Sequence, residues 1–323
     1  RSSAPRRRSS QCRCQAAWHL HWLLRLRGAL DRGALEAAFS AVVARHETLR
    51  TVFTDDAGVP AQLVGPPAPV AIEVHAGPGG ANEWLADLSA RPFDLGRGPL
   101  LRVGLVADGP GEHRLLVVLH HLVADGWSFA NLARDLGAAY GAAVAGGAPA
   151  LAPLPLQYAD YALWQAEALR AGRLAAELDH WRDALRGAPP LLDLGASGVA
   201  AGSRGEWTTR TVAAPVLAAV QSLAAEEGAT LFMVLHAAFA AVLGRLGATT
   251  DVVLGTPVAA RPSRALEELV GFFVNTLVLR TDLAGGPTFR QLLRRVRRGT
   301  LEAFDHAEVP FEKLVEALRP VRS

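Results

Sequence analysis

Residues 115–128 read Leu-Leu-Val-Val-Leu-His-His-Leu-Val-Ala-Asp-Gly-Trp-Ser. Five apolar residues, two of them β-branched, precede two imidazoles, a carboxylate and a glycine. An apolar run bounded by turn residues predicts a strand that is buried on both faces. Apolar side chains recur at helical spacing after Ser128 and predict a helix. The histidine pair is therefore expected at a strand end, where α/β proteins commonly carry their chemistry.

The chemistry of this strand end depends on which way each side chain points. Side chains of neighbouring strand residues point to opposite faces of the sheet, so those of His120 and His121 cannot face the same space. An imidazole can accept a proton from an amine or a hydroxyl near neutral pH. Asp125 can orient that imidazole or fix the turn, and Gly126 permits a positive φ or a close approach. A core histidine and an ordinary Asp-Gly turn are the alternative interpretation.

A metal site is rejected at this position. The two histidines split across the strand, and no cysteine, glutamate or third histidine stands nearby at ligand spacing.

The nine residues 120–128 together resemble the His-His-x-x-x-Asp-Gly-Trp-Ser motif of condensation domains of nonribosomal peptide synthetases, members of the chloramphenicol acetyltransferase superfamily. The superfamily shares only His-x-x-x-Asp, so the longer string is the more specific signal. The resemblance implies an α/β fold with two chloramphenicol acetyltransferase-like lobes. Each lobe is expected to be a mixed sheet with helices, and the two form a V around a central channel.

Four further segments resemble motifs of this family in the family's order. They are residues 45–53 for the second motif, 158–165 for the fourth, 270–280 for the fifth and 306–312 for the sixth. In the sixth, Ala307 and Glu308 replace the usual Gln and Asp. The aromatic stripe of the fourth motif is interpreted as core packing. Asn275, a polar residue in an apolar strand, needs a hydrogen-bonding partner.

A stretch rich in Gly, Pro, Ala and Ser predicts the boundary between the lobes. This linker covers residues 187–205 and separates an N-terminal lobe, 23–186, from a partial C-terminal lobe, 206–323. The elements predicted after the linker are a strand over 206–212, a helix over 231–246 capped by Thr230, and a strand over 251–258.

Both ends of the chain depart from the family pattern. Residues 1–22 hold five arginines, both cysteines and no acidic residue, and are expected to be disordered or translated out of frame. They contain no apolar core of secretory length. The chain stops at Ser323, before the place of the seventh motif, so the second lobe is expected to be incomplete. Open strand edges and uncovered apolar surface would follow.

Composition excludes several classes of partner. Half of the residues are hydrophobic and the formal net charge is +2, which argues against nucleic acid. The longest apolar candidate, 231–246, contains His236 and Arg245, so no membrane span is predicted and a cytoplasmic location is expected. Cys12 and Cys14 form neither a disulfide framework nor a zinc site.

The resemblance implies amide-bond formation between two carrier-bound thioesters. The donor is an acyl or peptidyl group and the acceptor an aminoacyl group, each on the phosphopantetheine arm of a carrier protein. The implied partners are the upstream and downstream peptidyl carrier domains and a neighbouring adenylation domain, and no cofactor is bound directly. Such a reaction needs both substrates held together, a free amine and a site that tolerates an oxyanion.

The resemblance assigns the central role to His121, either as a base or as a group that positions the amine. His120 is expected to be a buried support. Asp125 is expected to fix the turn by pairing with an arginine from the second lobe, for which Arg261 and Arg280 are the candidates.

Further residues are expected to shape the channel. Gly126 would let a substrate arm or the backbone pass close by. Residues assigned to channel lining or structural support are Trp127, Ser128 and Asn275. Five arginines crowd one predicted helix and indicate a solvated face near a helix end or a docking surface for an acidic carrier: Arg290, Arg294, Arg295, Arg297 and Arg298.

Four alternatives are weighed against condensation. An epimerisation domain is disfavoured by Gly126-Trp127-Ser128, and a cyclisation domain would have Asp in place of the first histidine. A free-standing acyltransferase that uses acyl-CoA explains the flanking motifs less well. An inactive synthetase fragment would account for the unusual ends. The amino acids joined, and the choice between an L-donor and a dual epimerising subtype, stay open.

Overall fold

Both strands and helices occur along the chain, which confirms the predicted α/β class. The computed structural model describes residues 18–56, 58–149, 151–195 and 208–318. Its strands are β1 (His19–Arg27), β2 (Thr51–Asp56), β3 (Val59–Val64), β4 (Glu73–Ala76), β5 (Leu101–Gly109), β6 (Glu112–His120), β7 (Asp251–Ala259) and β8 (Val274–Asp282). Its helices are α1 (Arg32–Arg45), α2 (Ala81–Ala90), α3 (Ser128–Val144), α4 (Tyr158–Arg170), α5 (Ala175–Ala184), α6 (Ala214–Glu226), α7 (Leu231–Leu246), α8 (Arg264–Glu267), α9 (Phe289–Asp305) and α10 (Phe311–Leu318).

The chain divides into two compact units. The first contains the described residues up to Glu167 together with Arg261–Phe273, and the second contains those of Ala168–Ala260 and from Val274 onward. This division differs from the predicted linker at 187–205, of which residues 196–205 lie outside the described residues.

The segment Arg261–Phe273 belongs to the first unit because side chains of α3 bind its backbone. The amide of Asn131 donates to the carbonyl oxygens of Glu267 (2.7 Å) and Leu269 (3.0 Å). A composition shift cannot reveal such a return of the chain, because these hydrogen bonds join residues far apart in sequence.

The central strand of the first unit is β6, as the apolar run predicts. The strand order is β1-β6-β5-β4, with β6 antiparallel to both neighbours and β4 parallel to β5. All five residues Leu115–Leu119 are buried. Two flanking strands satisfy the backbone of β6, and side chains on both faces enter the core.

Strand β1 corrects the prediction that residues 1–22 are an atypical segment. It begins at His19 and pairs with β6 in unbroken antiparallel register, from His19 opposite His120 to Arg27 opposite Glu112. Leu20 packs against the core of the first unit. Residues 1–17 lie outside the described residues.

Helix α1 contributes an apolar stripe to the same core. Leu35, Phe39 and Val42 recur at helical spacing and are buried. Asp31 caps the helix by accepting a hydrogen bond from the amide of Ala34 at 2.9 Å. The second motif follows α1 directly, as predicted, and leads into β2.

The second unit contains the antiparallel pair β7 and β8, in register from Asp251 opposite Asp282 to Ala259 opposite Val274. Helix α9 packs against β8, and α7 packs against α9. The predicted cap of α7 is confirmed, because the Thr230 hydroxyl accepts from the amide of Met233 at 3.3 Å. The predicted strand over 206–212 is wrong for residues 208–212, for which no strand pairing forms within the described chain.

No single helix in the described ranges is long and apolar enough to cross a membrane. Helices α6 and α7, bent by 104° at the break between them, pass that test only as a pair, by length and composition.

Two glycines of β5 allow a matched test of packing. A methyl group at Gly104 would lie 2.2 Å from a methyl of Leu88 and 2.9 Å from the Trp84 ring, whereas one at Gly109 would meet nothing within 4 Å. Because Leu88 is fully buried, we expect Gly104→Ala to lower the free energy of unfolding by about 1–3 kcal/mol. Urea unfolding measures this, and an equal loss in Gly109→Ala would contradict the explanation.

Candidate active site

The end of β6 is held from both sides by backbone hydrogen bonds. The amide of His120 donates to the carbonyl of Leu100 at 3.0 Å, and the amide of His121 donates to the carbonyl of Trp18 at 2.8 Å. The histidine pair therefore lies on a part of the backbone that is fixed by two neighbouring segments.

The ring of His121 lies beside a largely apolar cavity of about 240 Å³. The cavity is lined by Trp18, His120, His121, Leu122 and Phe272. The His121 and Phe272 rings meet edge to face, with centroids 5.0 Å apart. The Nδ1 atom of His121 is buried and makes no hydrogen bond to any described residue. Packing therefore holds this ring in place.

His120 is almost fully buried and acts on the local backbone. Its Nδ1 accepts a hydrogen bond from the amide of Leu122 at 3.1 Å. Burial, followed by the neighbouring rings of His19 and His121, lowers the pKa of His120 to about 4. The ring is thus neutral at neutral pH and stabilises the turn after β6.

Asp125 is completely buried and fixes the turn that leads into α3. Its carboxylate accepts hydrogen bonds from the Ser128 amide (3.0 Å), the Ser128 hydroxyl (2.8 Å) and the Phe273 amide (3.1 Å). No hydrogen bond joins Asp125 to His121 in the described part of the chain. Of the two roles that the sequence left open, the contacts favour fixing the turn over orienting the imidazole.

Arg261 is the cationic partner that the sequence predicts for Asp125. Its Nη2 donates to both carboxylate oxygens, at 3.1 and 3.2 Å. The predicted pairing forms, but Arg261 belongs to the first compact unit and not to the second lobe, where it was expected. Its Nη1 donates to the carbonyls of Leu266 (2.6 Å) and Leu269 (3.0 Å). The guanidinium also lies 3.9 Å from the ring centroid of Phe273. Both charges are therefore compensated, as burial requires.

Arg280, the other candidate, does not pair with Asp125, so that prediction is wrong. It lies on β8 and forms an ion pair with Asp251 of β7 at 2.7 Å. Its Nη1 donates to the carbonyls of Ala184 and Arg186, both at 3.0 Å. Cross-strand pairing places a carboxylate within reach of Arg280, which the sequence could not show.

Gly126 and Trp127 lie on the exposed side of the turn. The φ of Gly126 is not positive, and a methyl group there would meet nothing within 4 Å, so neither a left-handed conformation nor a close approach of the described chain requires glycine at this position. Passage of a substrate arm beside Gly126 stays a prediction. The indole of Trp127 donates to the carbonyl of Glu267 at 3.0 Å, and its ring is about half exposed.

The fifth motif places Phe272 beside His121 through a close backbone approach. The Ser128 hydroxyl accepts from the amide of Gly271 at 3.2 Å. A methyl group at Gly271 would lie 2.3 Å from the Tyr158 ring, so a side chain does not fit there. The Tyr158 hydroxyl donates to the carbonyl of Phe272 at 2.8 Å, and the Tyr158 ring packs against Phe273. Tyr158 and Tyr161 of the fourth motif therefore pack against the cluster that contains Phe273, as predicted, whereas Trp164 is half exposed and the prediction of core packing is wrong for it.

Asn275 has the partners that its place in an apolar strand required. Its amide nitrogen donates to the carbonyls of Ala307 (3.1 Å) and Val309 (2.8 Å), and its oxygen accepts from the Phe311 amide at 3.0 Å. Asn275 thus holds the segment before α10, within the second unit, and its contacts favour structural support over channel lining.

The second motif forms a buried ion cluster between α1 and α3. Asp135 receives a hydrogen bond from His46 at 2.8 Å and an ion pair from Arg45. Burial alone would raise the pKa of Asp135, but the hydrogen bonds from His46 and Arg45 lower it to about 2. This cluster connects the end of α1 to the helix that begins at Ser128.

The arginine cluster of α9 contacts mostly groups of its own unit. The contacts are from Arg290 to Glu226 and Glu227, from Arg294 to Glu227, from Arg295 to Asp282 and from Arg297 to the carbonyl of Gly228. These contacts favour the solvated helix face, and carrier docking stays a prediction.

Sequence reasoning gave no role to two residues beside His121. Trp18 lay in the segment that was set aside, although an aromatic residue next to an alternating strand was a usable signal. Phe272 was noted only as part of the fifth motif, because its proximity to His121 depends on the fold.

The ion pair of Asp125 allows a stability test. Arg261→Met would leave a buried carboxylate without its cation, so we expect the free energy of unfolding to fall by about 3–5 kcal/mol. The control Arg264→Met changes an exposed arginine and should cost less than about 0.5 kcal/mol. Equal losses in urea unfolding would refute the importance of the pair.

The neutral state of His120 predicts a pH dependence of stability. The folded pKa, about 4, lies below the ordinary value of 6.5. The unfolded chain therefore binds the proton more readily, and the stability that His120 contributes is present above pH 6.5 and lost as the pH falls toward 4. Urea unfolding across this range should show a shallower pH dependence for His120→Asn than for the native protein. Identical slopes would contradict the assignment.

Comparison with known proteins bears on the whole chain. The family model described as the condensation domain matches residues 11–323. This match includes residues 11–22 of the segment that was set apart as atypical.

Two kinds of relatives agree with the family model. The chain is 46% identical over 309 residues to the probable non-canonical nonribosomal peptide synthetase CymA of Salinispora arenicola, a match over 93% of this chain and 4% of CymA. The chain thus spans a small part of that relative. It is similar to the X-domain from teicoplanin biosynthesis, solved alone (TM-score 0.87, 37% identity, 98% of this chain and 71% of that chain) and in complex with OxyB (0.84, 36%, 98% and 71%).

It is also similar to the first condensation domain of the calcium-dependent antibiotic synthetase in complex with a substrate analogue (TM-score 0.77, 27% identity, 94% of this chain and 73% of that chain). These neighbours confirm the predicted chloramphenicol acetyltransferase-like fold. Because one family model accounts for nearly all of the sequence and the relatives and folds agree with it, this chain belongs to the condensation domain family of nonribosomal peptide synthetases.

Proposed function

We propose that this chain joins a donor acyl or peptidyl thioester to an acceptor aminoacyl thioester, both carried on phosphopantetheine arms. The observation that carries the proposal is the position of His121, whose ring borders an apolar cavity at the end of the central strand. The turn behind it is held by the buried pair of Asp125 and Arg261. A stiff scaffold around a half-buried imidazole that borders a cavity suits a reaction between two bound substrates.

The chemistry requires one proton to leave the acceptor. The acceptor amine, in its lone-pair form, attacks the thioester carbonyl carbon, so that a C–N bond forms and the C–S bond breaks. The thiol of the donor arm leaves and receives a proton. His121 is the described group that stands at the cavity to accept the amine proton or to orient the amine, and the apolar wall disfavours the ammonium form.

Positioning is the role that the contacts of His121 favour. In a serine-protease triad a carboxylate accepts from the histidine Nδ1 and stabilises the imidazolium. Here the carboxylate of Asp125 is bound by Arg261, and the buried Nδ1 of His121 contacts no described carboxylate. A charge on His121 would therefore lack a neighbouring counter-ion, which makes orientation of the amine its main contribution.

The proposed partners follow from the size of the relative. CymA is a synthetase of which this chain matches 4%, so most of such a protein lies outside this domain. Upstream and downstream carrier domains and an adenylation domain are the neighbours that would deliver both thioesters. No directly bound cofactor is required by the proposed chemistry.

A second candidate function is recruitment of a partner enzyme without chemistry. The observation in its favour is the likeness to the X-domain, one structure of which is a complex with OxyB. A cavity beside His121 and the ordered turn behind it favour condensation instead.

Replacement of His121 tests the proposal. With donor and acceptor carriers loaded, we expect His121→Ala to reduce dipeptide formation about 10²–10⁴-fold, because the amine loses the group that positions or deprotonates it. The matched control is His75→Ala, whose ring packs against Trp84 of α2. Product analysis by mass spectrometry measures both. Undiminished dipeptide formation in His121→Ala would refute the proposed role of His121, and absence of dipeptide from the native protein would favour recruitment.

A further inference from the structure

Two buried histidines face each other beneath the active site. His19 of β1 and His120 of β6 are directly opposite in the strand register. Their ring centroids are 6.1 Å apart, and both rings contact Phe93. His19 is 7% exposed and His120 is 3% exposed.

The hydrogen bonds of each ring define its tautomer. The Nδ1 of His19 lies 2.9 Å from the carbonyl oxygen of Ser89, and because a carbonyl accepts, this nitrogen carries the proton. The Nδ1 of His120 accepts from the Leu122 amide, so its proton is on Nε2. In their neutral forms, His19 therefore has a bare Nε2 and His120 has an Nε2–H.

These two Nε2 atoms are complementary and lack other partners. Each is buried, and neither makes a hydrogen bond to a described residue. One is an acceptor and the other a donor, and buried polar groups of this kind are normally satisfied.

Charged and titratable neighbours also favour two neutral rings. Burial lowers the pKa of His19, and nearby His21 and Arg102 lower it further, although the hydrogen bond to Ser89 acts in the opposite direction. The guanidinium of Arg102 lies 4.4 Å from the centroid of Phe93, on the ring that touches both histidines.

We propose that His19 is a positioning residue of the active site, whose bare Nε2 is joined to the Nε2–H of His120 by one bridging water that accepts from His120 and donates to His19. A continuous series of hydrogen bonds then runs from the Leu122 amide through His120 and His19 to the carbonyl of Ser89 in α2. This series would hold the tautomer of His120.

The tautomer matters because Leu122 directly follows His121. With a bare Nδ1, His120 accepts from the Leu122 amide and restrains the backbone at His121. In the opposite tautomer, the Nδ1–H of His120 would face the N–H of Leu122. Two donors form no hydrogen bond with each other, so the restraint would be lost. The tautomer of His120 can be measured without the reaction, whereas its effect on the reaction rate rests on the proposed function.

The test compares two replacements of His19 with a neighbouring control. His19→Gln keeps one donor and one acceptor, and His19→Leu keeps neither. Leu23→Ala changes an exposed residue of the same strand. The 15N and 1H chemical shifts of the His120 ring, recorded on the labelled full chain, report its tautomer without any substrate.

We expect a single Nε2–H tautomer for His120 in the native protein, in His19→Gln and in Leu23→Ala, and a mixture in His19→Leu. In dipeptide formation, His19→Leu should lower kcat about tenfold with KM unchanged, and His19→Gln should restore most of it. A native His120 protonated on Nδ1, or an unchanged tautomer in His19→Leu, would overturn the proposal. The native and Gln spectra decide the tautomer if His19→Leu does not fold.

An altered tautomer with unchanged kcat would also overturn the positioning role. Failure of the proposed function would instead be seen as no dipeptide from the native protein, with the His120 spectra unaffected.

Discussion

The buried ion pair between Asp125 and Arg261 is the interaction on which the rest of the site depends. Its partners are 136 residues apart in sequence. Two charges removed from water destabilise a protein unless their remaining hydrogen-bonding groups are also satisfied. Here Ser128 and the Phe273 amide donate the remaining hydrogen bonds to the carboxylate, and backbone carbonyls accept those of the guanidinium. These contacts join the start of α3 to the fifth motif, and so bring Phe272 to the ring of His121.

The same interaction limits what the histidine can do. Because Arg261 binds the Asp125 carboxylate, His121 has packing neighbours and an apolar cavity in place of a counter-ion. A neutral His120 adds no charge beside it. In the function that we propose, the site is therefore a rigid frame for two substrates, in which His121 orients an amine. In the proposed role, His19 connects this frame to α2 through the carbonyl of Ser89.

Local patterns predicted the elements whose own residues carry a strong apolar or periodic signal. The apolar run 115–119 became the central strand, and residues 231–246 became a helix that begins after Thr230. Prediction failed where a partner was needed. Residues 208–212 find no strand to pair with in the described chain, whereas His19–Arg27 pairs with β6 over its whole length. The composition of residues 1–22 gave no sign of that strand, because strand pairing depends on the register with a distant segment.

The sequence by itself determined the α/β class, the family resemblance and the place of His121 at a strand end, since all three are properties of contiguous residues. Tertiary structure alone decided that Arg261 and not Arg280 pairs with Asp125, that Phe272 lies beside His121, and that Gly271 must lack a side chain. The physical reason is that an ion pair or a close packing contact forms between groups that folding brings together, and their separation in space is not encoded in spacing along the chain.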